Sequence, residues 1–446
     1  MARSPVSKLL HWFTLNAHGR FFRDVGIVSA MRLSGGFLLF VTQIFLARWM
    51  DTGSFGIYSF AWTWVAVLGA LAGLGLTSTS IRFLATYKQV GDFDHMRGLV
   101  RHAFRATVRV SFAIALVAAA IFEFALSGSP FLPALQIAML AIPVMAILNI
   151  DAAFARGMNW MSLATVAEQV GRPTLLLLIG AVMVAVSTER SATAFVLACL
   201  FAYFAVTAIQ HIVVHKKLGQ AMRTGPQRQD IRIWRKVATM QMLINGAQML
   251  RMNGDPIIVG ALLGPREVGI YIAAVRTATL VSFLLMITSV VAQPRFAAIH
   301  ASGDRRALAA FFAVARQWTF LASLASASAL ALAGKFILGL FGPDYIAAYP
   351  SLLVLLAGHA LAAMLGPVAS MLVLIERQYS AALILGVTTL LNAVLTMLLA
   401  HWFGALGAAF ASSLSLVASY GALYLLVRDQ FKDGPDMKDT TPKLGA

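Results

Sequence analysis

Uninterrupted apolar blocks of twenty or more residues recur along this chain, and no other feature restricts its fold as severely. Wound as a helix at about 1.5 Å per residue, such a block covers the roughly 30 Å hydrocarbon core of a bilayer. A helix also satisfies its own backbone hydrogen bonds there, where water cannot. Apolar windows and their Gly, Pro and charged breakers predict spans at 25–47, 55–76, 104–126, 131–150, 163–186 and 191–214, then at 237–263, 268–292, 318–341, 349–375, 380–402 and 404–427. Only 12% of the 446 residues are charged, about half the share in soluble domains. A water-soluble enzyme is excluded, and the expected fold class is an all-α polytopic membrane protein of about twelve helices.

The distribution of positive charge orients these spans. With the N-terminus inside, the inner segments hold 25 Lys and Arg, whereas the outer segments hold only Arg48, Arg190 and Arg266. Because Lys and Arg resist translocation, both termini are expected on the cytoplasmic side. The same loops account for the net charge of +17, and no aromatic-interleaved basic motif points to a nucleic-acid partner. The expected organisation is a cytoplasmic segment 1–24, a six-helix lobe 25–214, a basic linker 215–236, a second six-helix lobe 237–427 and a tail 428–446. Residues 1–24 lack an apolar stretch with a cleavage site, so no removed leader is expected. Leu9, Leu10, Trp12 and Phe13 beside Lys8 predict a short interfacial helix. The single cysteine, Cys199, lies in an apolar block and is expected to pack there.

The second half repeats the first. At an offset of 213 residues, Phe55-Gly56-Ile57-Tyr58 aligns with Val268-Gly269-Ile270-Tyr271, and Arg82-Phe83 with Arg295-Phe296; one residue out of register, Gly91-Asp92 meets Gly303-Asp304. Six spans per half start both copies on the same side, which predicts parallel repeats around a central cleft and rocking between inward-open and outward-open states.

The stretch Asp255-Pro-Ile-Ile-Val-Gly-Ala-Leu-Leu-Gly-Pro-Arg-Glu-Val-Gly-Ile-Tyr271, followed by Gln293-Pro294-Arg295-Phe296, Phe341-Gly342-Pro343-Asp344-Tyr345 and Phe403-Gly404-Ala405-Leu406-Gly407-Ala408-Ala409, resembles bacterial polysaccharide-biosynthesis flippases. These belong to the multidrug/oligosaccharidyl-lipid/polysaccharide exporter superfamily. The resemblance implies two six-helix bundles around a cleft, location in the bacterial inner membrane, and an undecaprenyl-diphosphate-linked oligosaccharide as cargo, moved from the inner to the outer leaflet for O-antigen, capsule or exopolysaccharide.

Charges inside the spans speak to cargo independently, since an Arg at mid-bilayer costs roughly 2.5–3.5 kcal/mol on insertion scales. Away from the span ends, where Arg105 and Lys335 lie, the spans hold Arg32, Arg109, Arg172, Arg251 and Arg276, with only Glu168 and Asp255 at comparable positions. Arg109 is placed to snorkel. Glu168 with Arg172, and Arg251 with Asp255, form i,i+4 pairs able to neutralise themselves. Arg32 and Arg276 have no such local partner and are the first candidates for binding a diphosphate, whose oxygens match the planar guanidinium fork. Trp62 and Trp64 lie deeper than the interfacial tryptophans and are candidates for stacking on sugar or for packing, on different sides of one helix. Asn245 and Asn253 are candidates for lining the cleft or for bonding between helices.

No GxxxxGK[ST] loop occurs, so an ion gradient is the expected drive, with Asp255 and Glu168 as candidate coupling carboxylates for a proton or sodium ion. His211 and His215 stand i,i+4, but neither a third ligand nor HExxH accompanies them, so they read as end-of-span polar residues. Neither a metal nor a cofactor is expected, and a monomer is the default. Two rivals share the pattern. An ion-coupled multidrug exporter would favour a carboxylate-rich interior, and a membrane polysaccharide polymerase or ligase would need a sizeable outer loop.

Overall fold

A computed structural model describes residues 17–186, 190–222, 225–368, 371–372 and 378–432. The chain builds α1 (Ala17–Trp49), α2 (Thr52–Ala72), α3 (Leu76–Val90), α4 (Phe93–Ala125), α5 (Leu132–Met139), α6 (Ala141–Gly157), α7 (Met161–Val166), α8 (Arg172–Val186) and α9 (Ala192–Met222). It continues through α10 (Ile231–Leu263), α11 (Pro265–Ala301), α12 (Arg305–Phe341), α13 (Tyr349–Ala363) and α14 (Gln378–Lys432). Neither strands nor bridges occur among the described residues. The expected interfacial helix around Leu9–Phe13 lies outside them.

Eight helical segments among the described residues are long and apolar enough to cross a membrane. Their surfaces are inverted relative to a soluble bundle. On α9, Leu197, Phe201 and Phe204 are all more than half exposed, and on α14 so are Leu383, Val387, Leu390 and Val394. These stripes at helical spacing suit lipid and would be a liability in water. Small residues turn inward instead: Thr107, Ser111, Ala115 and Ala118 form the buried edge of α4, while Phe112 and Leu116 on the same helix are exposed. Small side chains allow close backbone approach where lipid provides no hydrophobic drive between helices.

Several spans are interrupted. The segment 131–150 breaks at Leu140, and Pro143 sits in the first turn of the new helix α6, where its missing N–H costs nothing. The segment 163–186 contains a π turn at Ala167–Gly171 between α7 and α8. Helix α14 holds two spans joined at Gly404, which adopts φ 60° and ψ −145°. Helix α10 is absent from the eight apolar segments because Asn245, Gln248, Arg251, Asn253 and Asp255 punctuate it.

Contacts divide the chain into two compact units, residues 1–51 with 64–246 and residues 52–63 with 247–446. In the first unit, Leu84, Met96, Leu99, Phe154 and Trp234 centre an apolar cluster. Its basic linker is docked: Arg97 donates through Nε to the Pro226 carbonyl (2.9 Å) and through Nη1 to the Met222 carbonyl (2.6 Å), and pairs with Asp94. In the second unit, Phe296, Leu308, Phe312 and Leu423 centre the corresponding cluster.

The repeat is visible in local structure. Gly91 (φ 75°) closes α3 and Asp92 caps α4, accepting from the His95 N–H at 3.1 Å; Gly303 (φ 75°) precedes Asp304, which caps α12 and accepts from the Ala307 N–H at 2.9 Å. Both pairs therefore end one helix and start the next in the same way. Phe83 and Phe296 each join their unit's apolar cluster, while Arg82 and Arg295 are exposed. Within the second unit, the first turns of α2 and α11 cross backbone to backbone. A Cβ on Gly56 would lie 1.8 Å from the Pro265 carbonyl oxygen, and one on Gly269 would lie 2.5 Å from that of Thr52. Thr52 and Pro265, like Gly56 and Gly269, are 213 residues apart, so this is a reciprocal two-fold contact between repeat equivalents.

Candidate functional site

Among the described residues of the second unit, a polar cluster inside the spans surrounds Asp255 on α10. Pro256 follows it directly, depriving the helix of one N–H and leaving the Met252 carbonyl without its usual donor. The carboxylate is gripped from α14. Asn392 Nδ2 donates to Oδ1 at 2.5 Å, Thr396 Oγ1 lies 3.4 Å from the same oxygen, and the Ser412 hydroxyl donates to Oδ2. Tyr271 of α11 extends the chain, its Oη 3.2 Å from Ser412 Oγ. Asn392 and Thr396 precede the Gly404 turn and Ser412 follows it, so Asp255 ties together both spans of α14.

The i,i+4 pairing of Arg251 with Asp255 is not made as an ion pair: among the described residues the carboxylate takes neutral donors, and Arg251 Nε is buried without a hydrogen-bond partner. A helix offers a shared face at that spacing, but donors on α14 are nearer. The surroundings of the other pair are set by the π turn, with Glu168 half-buried inside it. Arg172 begins α8 with its guanidinium carbon 4.9 Å from the Tyr203 ring centroid, a cation–π geometry.

Arg276 is exposed on α11 beside fully buried Thr277. Arg32 falls on α1, and its side chain lies outside the described residues. Trp62 is 6.2 Å from Tyr58, ring to ring, in the second unit; Trp64 meets Phe122 edge-on at 5.0 Å in the first. Asn245 Nδ2 reaches Ser78 Oγ of α3 at 3.4 Å, a bond between helices, while Asn253 donates to the Met249 carbonyl of its own helix at 3.0 Å.

Two of the quoted motifs have structural reasons. In Phe341–Tyr345, Asp344 Oδ2 accepts from Thr52 Oγ1 (3.1 Å) and Tyr345 meets Phe55 edge-on, securing the start of α2. In Phe403–Ala409, a Cβ on Gly407 would lie 2.0 Å from the Leu399 carbonyl oxygen, which makes that residue obligatory for the reversal.

Sequence reasoning missed Asn392, Thr396 and Ser412. Thr and Ser in apolar helices are common, and only the tertiary fold brings them to a carboxylate 137 to 157 residues away. It also missed Asp151, which supplies His211 and His215 with the third group absent from their local spacing.

An inward-facing multidrug resistance MATE family transporter of the MOP superfamily superposes with a TM-score of 0.73 at 13% identity, covering 91% of this chain and 98% of that one. A MOP superfamily transporter from Pyrococcus furiosus, described as having a binding pocket of reverse polarity, superposes with a TM-score of 0.65 at 13% identity, covering 91% and 94%. At such identity the likeness shows a shared all-α polytopic fold. No curated protein matches the sequence. The family described as polysaccharide biosynthesis protein matches residues 21–300, and this chain belongs to it.

Proposed function

We propose that this protein is a flippase that moves an undecaprenyl-diphosphate-linked oligosaccharide from the inner to the outer leaflet by alternating access. The observation that carries this reading is the family match across residues 21–300. The intramembrane charge supports an anionic headgroup. Away from the span ends, five arginines stand within spans against two carboxylates, and in the second unit Asp255 is satisfied by neutral donors rather than by Arg251. Arg32 and Arg276 bind the diphosphate, with Arg251 and Arg172 as further cationic contacts, while the polyprenyl tail stays in lipid. Trp62, Trp64, Asn245 and Asn253 are the candidate contacts to sugar. Asp255, rather than Glu168, couples transport to a proton or sodium ion, because its ring of hydroxyl and amide groups can rearrange around a bound cation. In this reading the protein acts as a monomer in the bacterial inner membrane, with both termini cytoplasmic, and catalyses no covalent step.

A multidrug exporter of the same fold is the second reading, favoured by the likeness to the inward-facing transporter. Reconstituted protein is tested with a fluorescent polyprenyl-diphosphate oligosaccharide and, separately, with a panel of lipophilic cations. Translocation of the glycolipid alone supports the flippase, and transport of cations alone rejects it.

A further inference from the structure

In the first unit, α6 and α9 bring three metal-ligating groups to one point. Asp151 lies on α6 and is fully buried; His211 and His215 share one face of α9. His211 Nδ1 is 2.8 Å from Asp151 Oδ2, and His215 Nε2 is 3.1 Å from Asp151 Oδ1, so each carboxylate oxygen faces one imidazole. The ligating atoms of all three residues lie within 4.8 Å of one another. We propose that Asp151, His211 and His215 form a binding site for a divalent transition metal of the zinc class.

Ligand chemistry and geometry support this. Two imidazoles and a carboxylate are a three-ligand zinc set that leaves a fourth position for water. Bonds of about 2.0–2.2 Å in a tetrahedral site place ligand atoms about 3.3 Å apart, so the two N···O separations of 2.8 and 3.1 Å need widen by no more than about half an ångström, while the ring nitrogens, within 4.8 Å of each other, settle around the ion. The rings are held in place: Phe104 stacks on His211 at 5.1 Å and meets His215 edge-on at 5.5 Å. The helices are held too, since Gln210 Nε2 donates to the Leu148 carbonyl at 3.1 Å one turn away. The imidazoles remain about one third exposed, leaving an entry path and room for the fourth ligand.

Charge balance gives a second reason. Among the described residues, Asp151 has no Lys or Arg ion-pair partner, only the two imidazoles. A buried carboxylate is costly unless compensated, and a divalent cation supplies that compensation permanently while fastening α6 to α9. The hydrogen-bonded triad is then the metal-free form of the site.

The test uses full-length, tag-free protein in detergent, stripped with chelator and incubated with Zn²⁺ alone. After desalting, elemental analysis is expected to find about one zinc ion per chain that is lost in His211→Gln/His215→Gln. In competition with a chromophoric chelator, Asp151→Asn is expected to lower affinity about 100-fold or more. Co²⁺ is expected to give the intense visible bands of a low-coordinate site, absent from both variants. Equal zinc retention by wild type and the double variant, or no retention by wild type, overturns the proposal. Should the double variant fail to insert, single His215→Gln takes its place under the same criteria.

Discussion

At the scale of single residues, two carboxylates make opposite uses of their surroundings. Asp92 caps α4, and the His95 backbone N–H, helped by its side chain, holds the Asp92 carboxyl below the ordinary carboxylate range. A depressed folded pKa means that its stabilisation is present above the unfolded value, about 3.9, and is lost as pH falls through the folded one. Asp92→Ala is therefore expected to cost about 0.5–2 kcal/mol at neutral pH, a difference that shrinks below about pH 4 when melting of the two proteins is compared. Asp255, deep in the spans, is instead held by neutral groups from α14. Asp255→Asn keeps its size and is expected to leave insertion intact while making glycolipid flux indifferent to collapse of the ion gradient. Flux that still falls on collapse in this variant removes Asp255 from coupling. Asp255 was legible from the sequence as a charge inside a span; its partners were not, because helical periodicity reports a residue's own face and not what another helix presents to it.

At the scale of elements, the long apolar runs fall on helices, whereas α3 (Leu76–Val90) carries no apolar run to announce it; Gly91-Asp92 and Gly303-Asp304 mark two equivalent junctions. The break at Leu140 lies just before Pro143, whose ring marks it in the sequence, whereas the π turn at Ala167–Gly171 contains Glu168 and Gln169 but has no local residue pattern that separates it from an ordinary helical turn. The crossing of α2 and α11 shows why the Gly-Ile-Tyr motif occurs twice: each glycine lies against the opposing backbone. Gly56→Val is expected to force these helices apart at a cost of about 1–3 kcal/mol or more, as other over-packed contacts do. The thermal midpoint in detergent reads the effect. Gly254→Ala, where a Cβ meets nothing within 4 Å, is the control and is expected to be near neutral.

At the scale of the whole molecule, the fold, the family and the arginines retained inside spans meet in the proposed reading, in which the insertion cost of those guanidinium groups is offset by recognition of a diphosphate. Fold class followed from hydropathy alone, whereas the cargo depends on which of these cations meets it. The most direct measurement is glycolipid flux in proteoliposomes containing Arg32→Ala/Arg276→Ala, with insertion verified by protease mapping. Flux reduced at least about tenfold is the predicted result, equivalent to about 1.4 kcal/mol of lost recognition. Wild-type flux from a correctly inserted double variant would contradict the account.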